Sequence, residues 1–232
     1  VESPYEPDDL NLDFDTLDYS AIQDNMMAGI IRYASAKLEG HDVPGIKTDQ
    51  LVSLASRVSG LAPELFDREI SNFSLRQLQE QLEAAAVRAV RQMTSEAATA
   101  DQAETIVNTV VSLLPNMDIR TGTSMELMQY STPLHMAFLA QQALGLSSKD
   151  SRSVYEPTMG NGAFLTQVNP SQISGMEIDP KRAKRLAEQG IDVRVGDAIE
   201  SSAPARSKDV VVMNPPFGQL PNEKKRTYSS PL

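Results

Sequence analysis

The sequence predicts an α/β protein in which a helical domain precedes a domain built on a mostly parallel sheet. Three observations carry this. Apolar residues recur at three- and four-residue steps between residues 21 and 114. Beyond residue 150, short β-like runs alternate with helical ones. A glycine turn, Gly160-Asn161-Gly162, directly follows the first of those runs.

Residues 1–20 hold Pro4, Pro7 and seven acids with no base. Like-charge blocks of this kind form solvated tails, so the segment is set apart as a tail with little fixed structure. Residues 21–120 form the helical domain. Ile22, Met26, Met27, Ile30, Ile31, Ala34 and Leu38 make one apolar stripe, closed by Gly40. Thr48 or Asp49 caps a second helix, which runs through about Arg57 and ends at Gly60. The longest helix is expected from Ser74 to about Ala98, on Leu75, Leu78, Leu82, Ala85, Ala86, Ala89, Val90 and Met93. Another is expected from Asp101 to Leu114, with Val107, Val110 and Leu113 facing inward before Pro115.

Residues 121–232 form the second domain. A polar stretch leads through Tyr130-Ser131-Thr132-Pro133 to a helix from Leu134 to about Leu144, stopped by Gly145. Strands are expected at Val154-Tyr155, Ile173 to Ile178, Val193 to Val195 and Asp209 to Met213, with helices at 162–168 and 180–189 between them. Alternation of this kind specifies parallel strands with helices packed on both faces.

The 232 residues include no cysteine, which excludes a disulfide scaffold, a thiolate metal site and a cysteine nucleophile. Two histidines, His41 and His135, cannot alone build a histidine metal centre, and no metal is expected. No apolar run approaches the ~20 residues of a membrane span and no secretory signal opens the chain, so a soluble, cytoplasmic protein is expected. The net charge of -10 is uneven: residues 1–20 carry -7, residues 21–120 carry -4 and residues 121–232 carry +1. The acidity is concentrated in the tail, which leaves the second domain able to meet a polyanion.

Four motifs in the second domain carry chemistry. In Glu156-Pro157-Thr158-Met159-Gly160-Asn161-Gly162-Ala163-Phe164, the glycines let the backbone turn tightly and a ligand approach at the carboxyl end of the first strand. Leu165 replaces the third glycine of the dinucleotide fingerprint, which lowers a nicotinamide or flavin reading. About twenty residues on, Glu177 ends the second strand, placed to accept hydrogen bonds from two ribose hydroxyls. Asp197 follows the third strand. Asn214-Pro215-Pro216-Phe217 follows the fourth. Its two prolines fix the backbone and remove two N–H donors. Carbonyls and the Asn214 amide oxygen then form an acceptor-rich cradle for an amino group on a planar ring, with Phe217 as a flat wall.

From about Tyr130 to Gly218 the chain resembles the S-adenosylmethionine-dependent amino-methyltransferases, specifically the DNA adenine-N6 methyltransferases. The resemblance implies a Rossmann-like class I methyltransferase domain using S-adenosyl-L-methionine. It sets Tyr130, Ser131 and Thr132 near the methionine end of that cofactor. Glu156, Gly160 and Gly162 would shape the cofactor loop, together with Pro157 and Phe164. Glu177 would hold the ribose, Ile178 would pack on the adenine, and Asp197 would hydrogen-bond its amino group. Asn214 and the Pro215 carbonyl would accept from the target amine, in a catalytic loop completed by Pro216, and Phe217 would stack on the flipped base. The cofactor motifs precede the catalytic one, the order of the gamma group, and only sixteen residues separate Asp197 from Asn214. The family's sheet has seven strands and four are countable here, so the chain is expected to be the N-terminal part of a larger protein. The helical region, Leu113-Leu114-Pro115 and Gln129 to Leu134 are further similar to phage and plasmid antirestriction methylase–helicase proteins and their strawberry-notch-like relatives. For such a protein the activity would protect DNA against restriction and the protein would be virion-associated.

DNA is the expected partner, alongside other domains of a larger polypeptide or phage and plasmid proteins. Lys224, Lys225 and Arg226 follow the catalytic loop and are the expected phosphate contacts. Lys181, Arg182, Lys184 and Arg185 are expected to form a solvated helix face. His135 is expected to be structural. Rival readings are an RNA or protein-glutamine amino-methyltransferase, and a non-catalytic module that retains the cofactor fold.

Overall fold

A computed structural model describes residues 20–66, 72–115, 132–198 and 207–215. Nearly all of the acidic tail lies outside the described residues, as do Tyr130, Ser131, Pro216, Phe217, Lys224, Lys225 and Arg226. Among the described residues there are six α-helices: α1 (Ser20–Leu38), α2 (Thr48–Ser59), α3 (Asn72–Thr94), α4 (Ala100–Leu113), α5 (Leu134–Ala143) and α6 (Pro180–Ala187). Four strands complete the set: β1 (Val154–Glu156), β2 (Ile173–Glu177), β3 (Asp192–Val195) and β4 (Val210–Val211).

Helices α1 to α4 pack around one apolar cluster, and the stripes read from the sequence are its interior. Ile22, Met26, Ile30 and Ala34 of α1 are buried against Leu78, Leu82, Ala85, Ala86, Ala89 and Val90 of α3. From α4 come Ala103, Val107, Val110 and Leu113. The small residues of α3 let neighbouring helices approach closely, while each fully buried leucine contributes ~1.5–3 kcal/mol. Helix α4 is capped by Thr99, whose Oγ1 accepts from the Gln102 N–H at 3.2 Å. Gly60 ends α2 in the left-handed region, φ 75°, and returns its N–H to the Ser56 carbonyl at 2.8 Å.

A second cluster lies beneath the sheet and includes Val154, Leu165, Ile173, Leu186, Val210 and Val212. Helix α5 joins the two, burying Phe138 in the helical cluster and Ala137 in the sheet cluster. Next to them Gln141 is wholly buried and satisfied: its Nε2 donates to Thr166 Oγ1 at 3.1 Å and its Oε1 accepts from the Gln167 N–H at 2.8 Å. Gln167 in turn donates to Thr94 Oγ1 of α3 at 2.9 Å. A buried polar network with every member paired fixes one arrangement of the elements it joins.

The sheet is parallel throughout, in the order β3-β2-β1-β4. Glu156 of β1 pairs in register with Gly175 of β2, and Tyr155 with Val211 of β4. Gly175 is dictated by contact, since a Cβ there would lie 1.9 Å from the Glu156 carbonyl oxygen. On β4 the side chains alternate, Val210 and Val212 inward and Val211 and Met213 exposed.

Two expectations are corrected. No α-helix spans 162–168; a single 3-10 turn, Ala163–Leu165, stands there. Pro170 disfavours the helical conformation at Asn169, which leaves too few residues after Gly162 to nucleate a helix. The basic run at the start of α6 is not a solvated face. Arg182 is 6% exposed and both Arg182 and Arg185 turn inward onto Glu80 of α3, leaving only Lys181 and Lys184 exposed. His135 is exposed on α5 and fills no core position.

No helix among the described residues is long and apolar enough to cross a membrane.

Candidate functional site

Because the four strands are parallel, their carboxyl ends open on one side, and each carries one motif. The Pro157–Gly162 turn follows β1, Ile178 and Asp179 follow β2, Asp197 follows β3, and Asn214-Pro215 follows β4. Chain order reverses between β1 and β4, the position where open α/β sheets form a ligand crevice.

The turn is held on both sides. Met159 donates its N–H to the Met176 carbonyl at 2.9 Å, and Gly162 donates to the Met159 carbonyl at 2.8 Å. Gly160 and Gly162 both have positive φ, 55° and 79°. A Cβ on Gly162 would meet Leu186 Cδ2 at 3.1 Å, whereas one on Gly160 would have nothing within 4 Å. Gly162 therefore serves packing, while Gly160 borders open space. Phe164 of the same loop is buried and belongs to the sheet core.

Glu177 is 4% exposed and acts as a clamp. Its Oε2 accepts the Gly160 N–H at 2.6 Å and its Oε1 accepts the Asp179 N–H at 2.9 Å. A carboxylate has about four acceptor positions, and these two bonds take two of them. Burial raises its pKa, against the Asp179 and Gly160 N–H groups and the Arg182 charge, which favour the ionised form. Glu156 is 1% exposed, and its Oε2 has no hydrogen-bond partner among the described residues. Burial first, and the Glu177 charge second, push its pKa well above the ordinary carboxyl value. The Glu177 charge thus adds to burial in disfavouring the ionised form of Glu156.

Ile178, directly after Glu177, is 49% exposed. Asp197 is half-buried and engaged by other groups. Across the switch point Asn214 donates from Nδ2 to Thr132 Oγ1 at 2.8 Å. That bond joins two motifs 82 residues apart and leaves the Asn214 amide oxygen as the acceptor. The resemblance sets Thr132 near the cofactor; its contact here is with Asn214.

The helical half reaches this site through α3, which the sequence did not suggest. Glu80 Oε1 accepts from Arg182 Nε at 3.1 Å and from Arg185 Nη2 at 2.8 Å. Burial works to raise the Glu80 carboxyl, but the two guanidinium groups outweigh it and hold its pKa below the ordinary value. Glu83 accepts weakly from Asn161 Nδ2 in the glycine turn, at 3.5 Å. Arg91 passes beneath the turn, donating to Gln189 Oε1 and to the Leu165 carbonyl, and burial together with Arg88 lowers its pKa to about 10. No local pattern announces these contacts, because each partner lies many turns away along the chain.

Among the described residues no group of three or more His, Asp or Glu side chains is placed to hold a metal ion. Comparison with protein-family models, with curated proteins and with solved structures found no match to this chain.

Proposed function

We propose that the chain is the cofactor-binding part of an S-adenosylmethionine-dependent DNA methyltransferase that modifies the N6 amine of adenine and serves to protect DNA against restriction. The observation that carries this reading is the juxtaposition at the switch point: the Pro157–Gly162 turn after β1 flanks Asn214-Pro215 after β4, with Thr132 holding the asparagine. The residues present suit the cofactor. Gly160 borders open space, Ile178 offers an apolar surface for an adenine ring, Glu177 keeps two acceptor positions for ribose hydroxyls, and the buried, unpaired Glu156 Oε2 suits a cationic ligand. Bound there, the sulfonium supplies an electrophilic methyl group.

The chain's own contribution is to the nucleophile. An exocyclic ring amine is a poor one because its lone pair delocalises into the ring. Asn214 Oδ1 and the Pro215 carbonyl would accept hydrogen bonds from its two N–H groups, drawing the nitrogen toward tetrahedral geometry and freeing that lone pair. Holding the amine in line supplies several kcal/mol more. A duplex base must leave the stack to reach this cradle, at a cost of a few kcal/mol. By the resemblance of the motifs, Phe217 would recover part of that cost by stacking on the base, and Lys224, Lys225 and Arg226 would meet the phosphates.

The test is incubation of the longest form of the protein with labelled S-adenosylmethionine and unmethylated duplex DNA, followed by digestion and mass spectrometry of the nucleosides. N6-methyladenine that falls by about 100-fold or more in Asn214→Ala, with an unchanged melting temperature, supports the reading. Methylated RNA or glutamine under the same conditions, with no methylated DNA base, would replace DNA as the substrate. Cofactor binding without any transfer would leave a binding module.

A further inference from the structure

We infer that Glu80, on α3 of the helical half, is a positioning residue for the ribose-binding carboxylate Glu177, acting through Arg182. The inference rests on the cofactor reading above and adds a second half of the chain to the site.

The geometry is a relay from Glu80 through Arg182 and Asp179 to Glu177, whose last link is the Asp179 backbone N–H. Arg182 is buried with its guanidinium between two acids, Glu80 Oε1 at 3.1 Å and Asp179 Oδ2 at 4.0 Å. Asp179 caps α6, its Oδ1 accepting from the Lys181 N–H at 2.8 Å, and its own N–H donates to Glu177 Oε1 at 2.9 Å. Arg185 grips the same Glu80 oxygen at 2.8 Å. Glu80 thereby fixes the side from which Arg182 meets the Asp179–Glu177 corner. Both contacts run to the same nitrogen, Arg182 Nε, so the bond to Glu80 sets how near the guanidinium stands to Asp179. Without Glu80 the nearest anions left to Arg182 are Asp179 and Glu177, and it turns onto them. Arg182 then occupies the acceptor positions of Glu177 that a ribose needs.

This role differs from holding two halves together. A stabilising ion pair would affect folding and all ligands alike. A positioning residue acts on the ribose hydroxyls selectively, because only they meet Glu177.

The experiment is isothermal titration of the full chain with S-adenosylhomocysteine and with its 2′,3′-dideoxy analogue, for wild type, Glu177→Gln and Glu80→Gln. The ratio of the two affinities reads the ribose contact alone. Glu177→Gln removes the wild-type preference for the ribose, by about tenfold. Glu80→Gln is expected to lower the same ratio by about five- to tenfold while the dideoxy affinity stays within about twofold. Arg182→Lys keeps the charge but loses the Nε donor held by Glu80, and lowers the ratio likewise, so the proposal stays testable if Glu80→Gln does not fold. In the Glu80→Gln/Arg182→Lys double variant the loss is no larger than in Arg182→Lys alone, because the two act in series. An unchanged ratio in folded Glu80→Gln, with the ratio lost in Glu177→Gln, overturns the inference and leaves the cofactor reading standing. No binding of either ligand by the wild type overturns both.

Discussion

The four helices of the N-terminal half and the four strands of the C-terminal half hold together by different means. The helical cluster is made of leucine, isoleucine, valine and alanine with Met26 and Phe138, and none of its buried members is ionisable. The strands are two to five residues long, and two buried carboxyls, Glu156 and Glu177, stand at the ends of β1 and β2. Burying an acid costs free energy unless it is compensated. One half therefore stores stability, while the other carries groups that destabilise it in exchange for a site. Helix α3 belongs to both, apolar toward α1 and α4 and polar, through Glu80 and Arg91, toward the sheet.

The sharpest way to break the sheet half is Gly175→Ala. A Cβ there would sit 1.9 Å from the Glu156 carbonyl and 2.6 Å from Met159 Cε. Backbone cannot yield as a side chain does, so the cost is expected to exceed about 3 kcal/mol, visible as lost soluble protein or as a collapse of the denaturant midpoint. The matching change in the helical half is Leu82→Ala, which empties a fully buried position and is expected to cost about 2–5 kcal/mol. Urea unfolding followed at both halves distinguishes the outcomes. If the α3 contacts unite them, Leu82→Ala shifts one shared transition. Two separate transitions would mean that the halves are independent.

Two carboxyls make the same comparison by pH. Glu156 has a raised pKa in the fold, so its contribution is present below the ordinary glutamate value of 4.5 and is lost as pH rises through the raised value. Glu80 has a lowered one, so its contribution is present above 4.5 and is lost as pH falls through the lowered value. Melting temperatures across this range should therefore diverge in opposite directions. Glu156→Gln gains on wild type as pH rises, by about 1–3 kcal/mol at neutrality, the cost of a buried unsatisfied group. Glu80→Gln loses about 1–2 kcal/mol at neutrality, between exposed and buried pairs, and this deficit shrinks in acid. The same sign for both variants would refute the distinction between the ion-paired Glu80 and the buried, unpartnered Glu156.

Local periodicity made α1 to α4 legible, since Ile22, Met26, Ile30 and Ala34 lie one turn apart and are buried together. The parallel sheet was legible from alternation, and the glycine turn and Glu177 from their spacing. The contents of α6 were not. Arg182 and Arg185 read as surface charge because their partner, Glu80, lies 102 and 105 residues away in sequence. The expected helix after Gly162 failed because Pro170 caps its length, and a 3-10 turn closes the same gap. Thr132 was assigned by family likeness to the cofactor, and only the folded chain brings its hydroxyl to Asn214.

The smallest expected effect on stability is the most specific to the site. Gly160 and Gly162 lie two residues apart with the same sign of φ, so alanine at either costs about 1–2 kcal/mol in backbone strain. At Gly162 the new Cβ also presses on Leu186 Cδ2 at 3.1 Å, which adds to the folding cost. At Gly160 it meets nothing within 4 Å, so the fold has no steric reason to exclude it. If that open space is where a ligand meets the backbone, Gly160→Ala should weaken S-adenosylhomocysteine binding by about tenfold or more at a modest loss of melting temperature. Gly162→Ala should do the reverse, losing more stability than affinity. Equal effects of the two on binding would show that the turn matters as a fold element and not as a surface for a ligand.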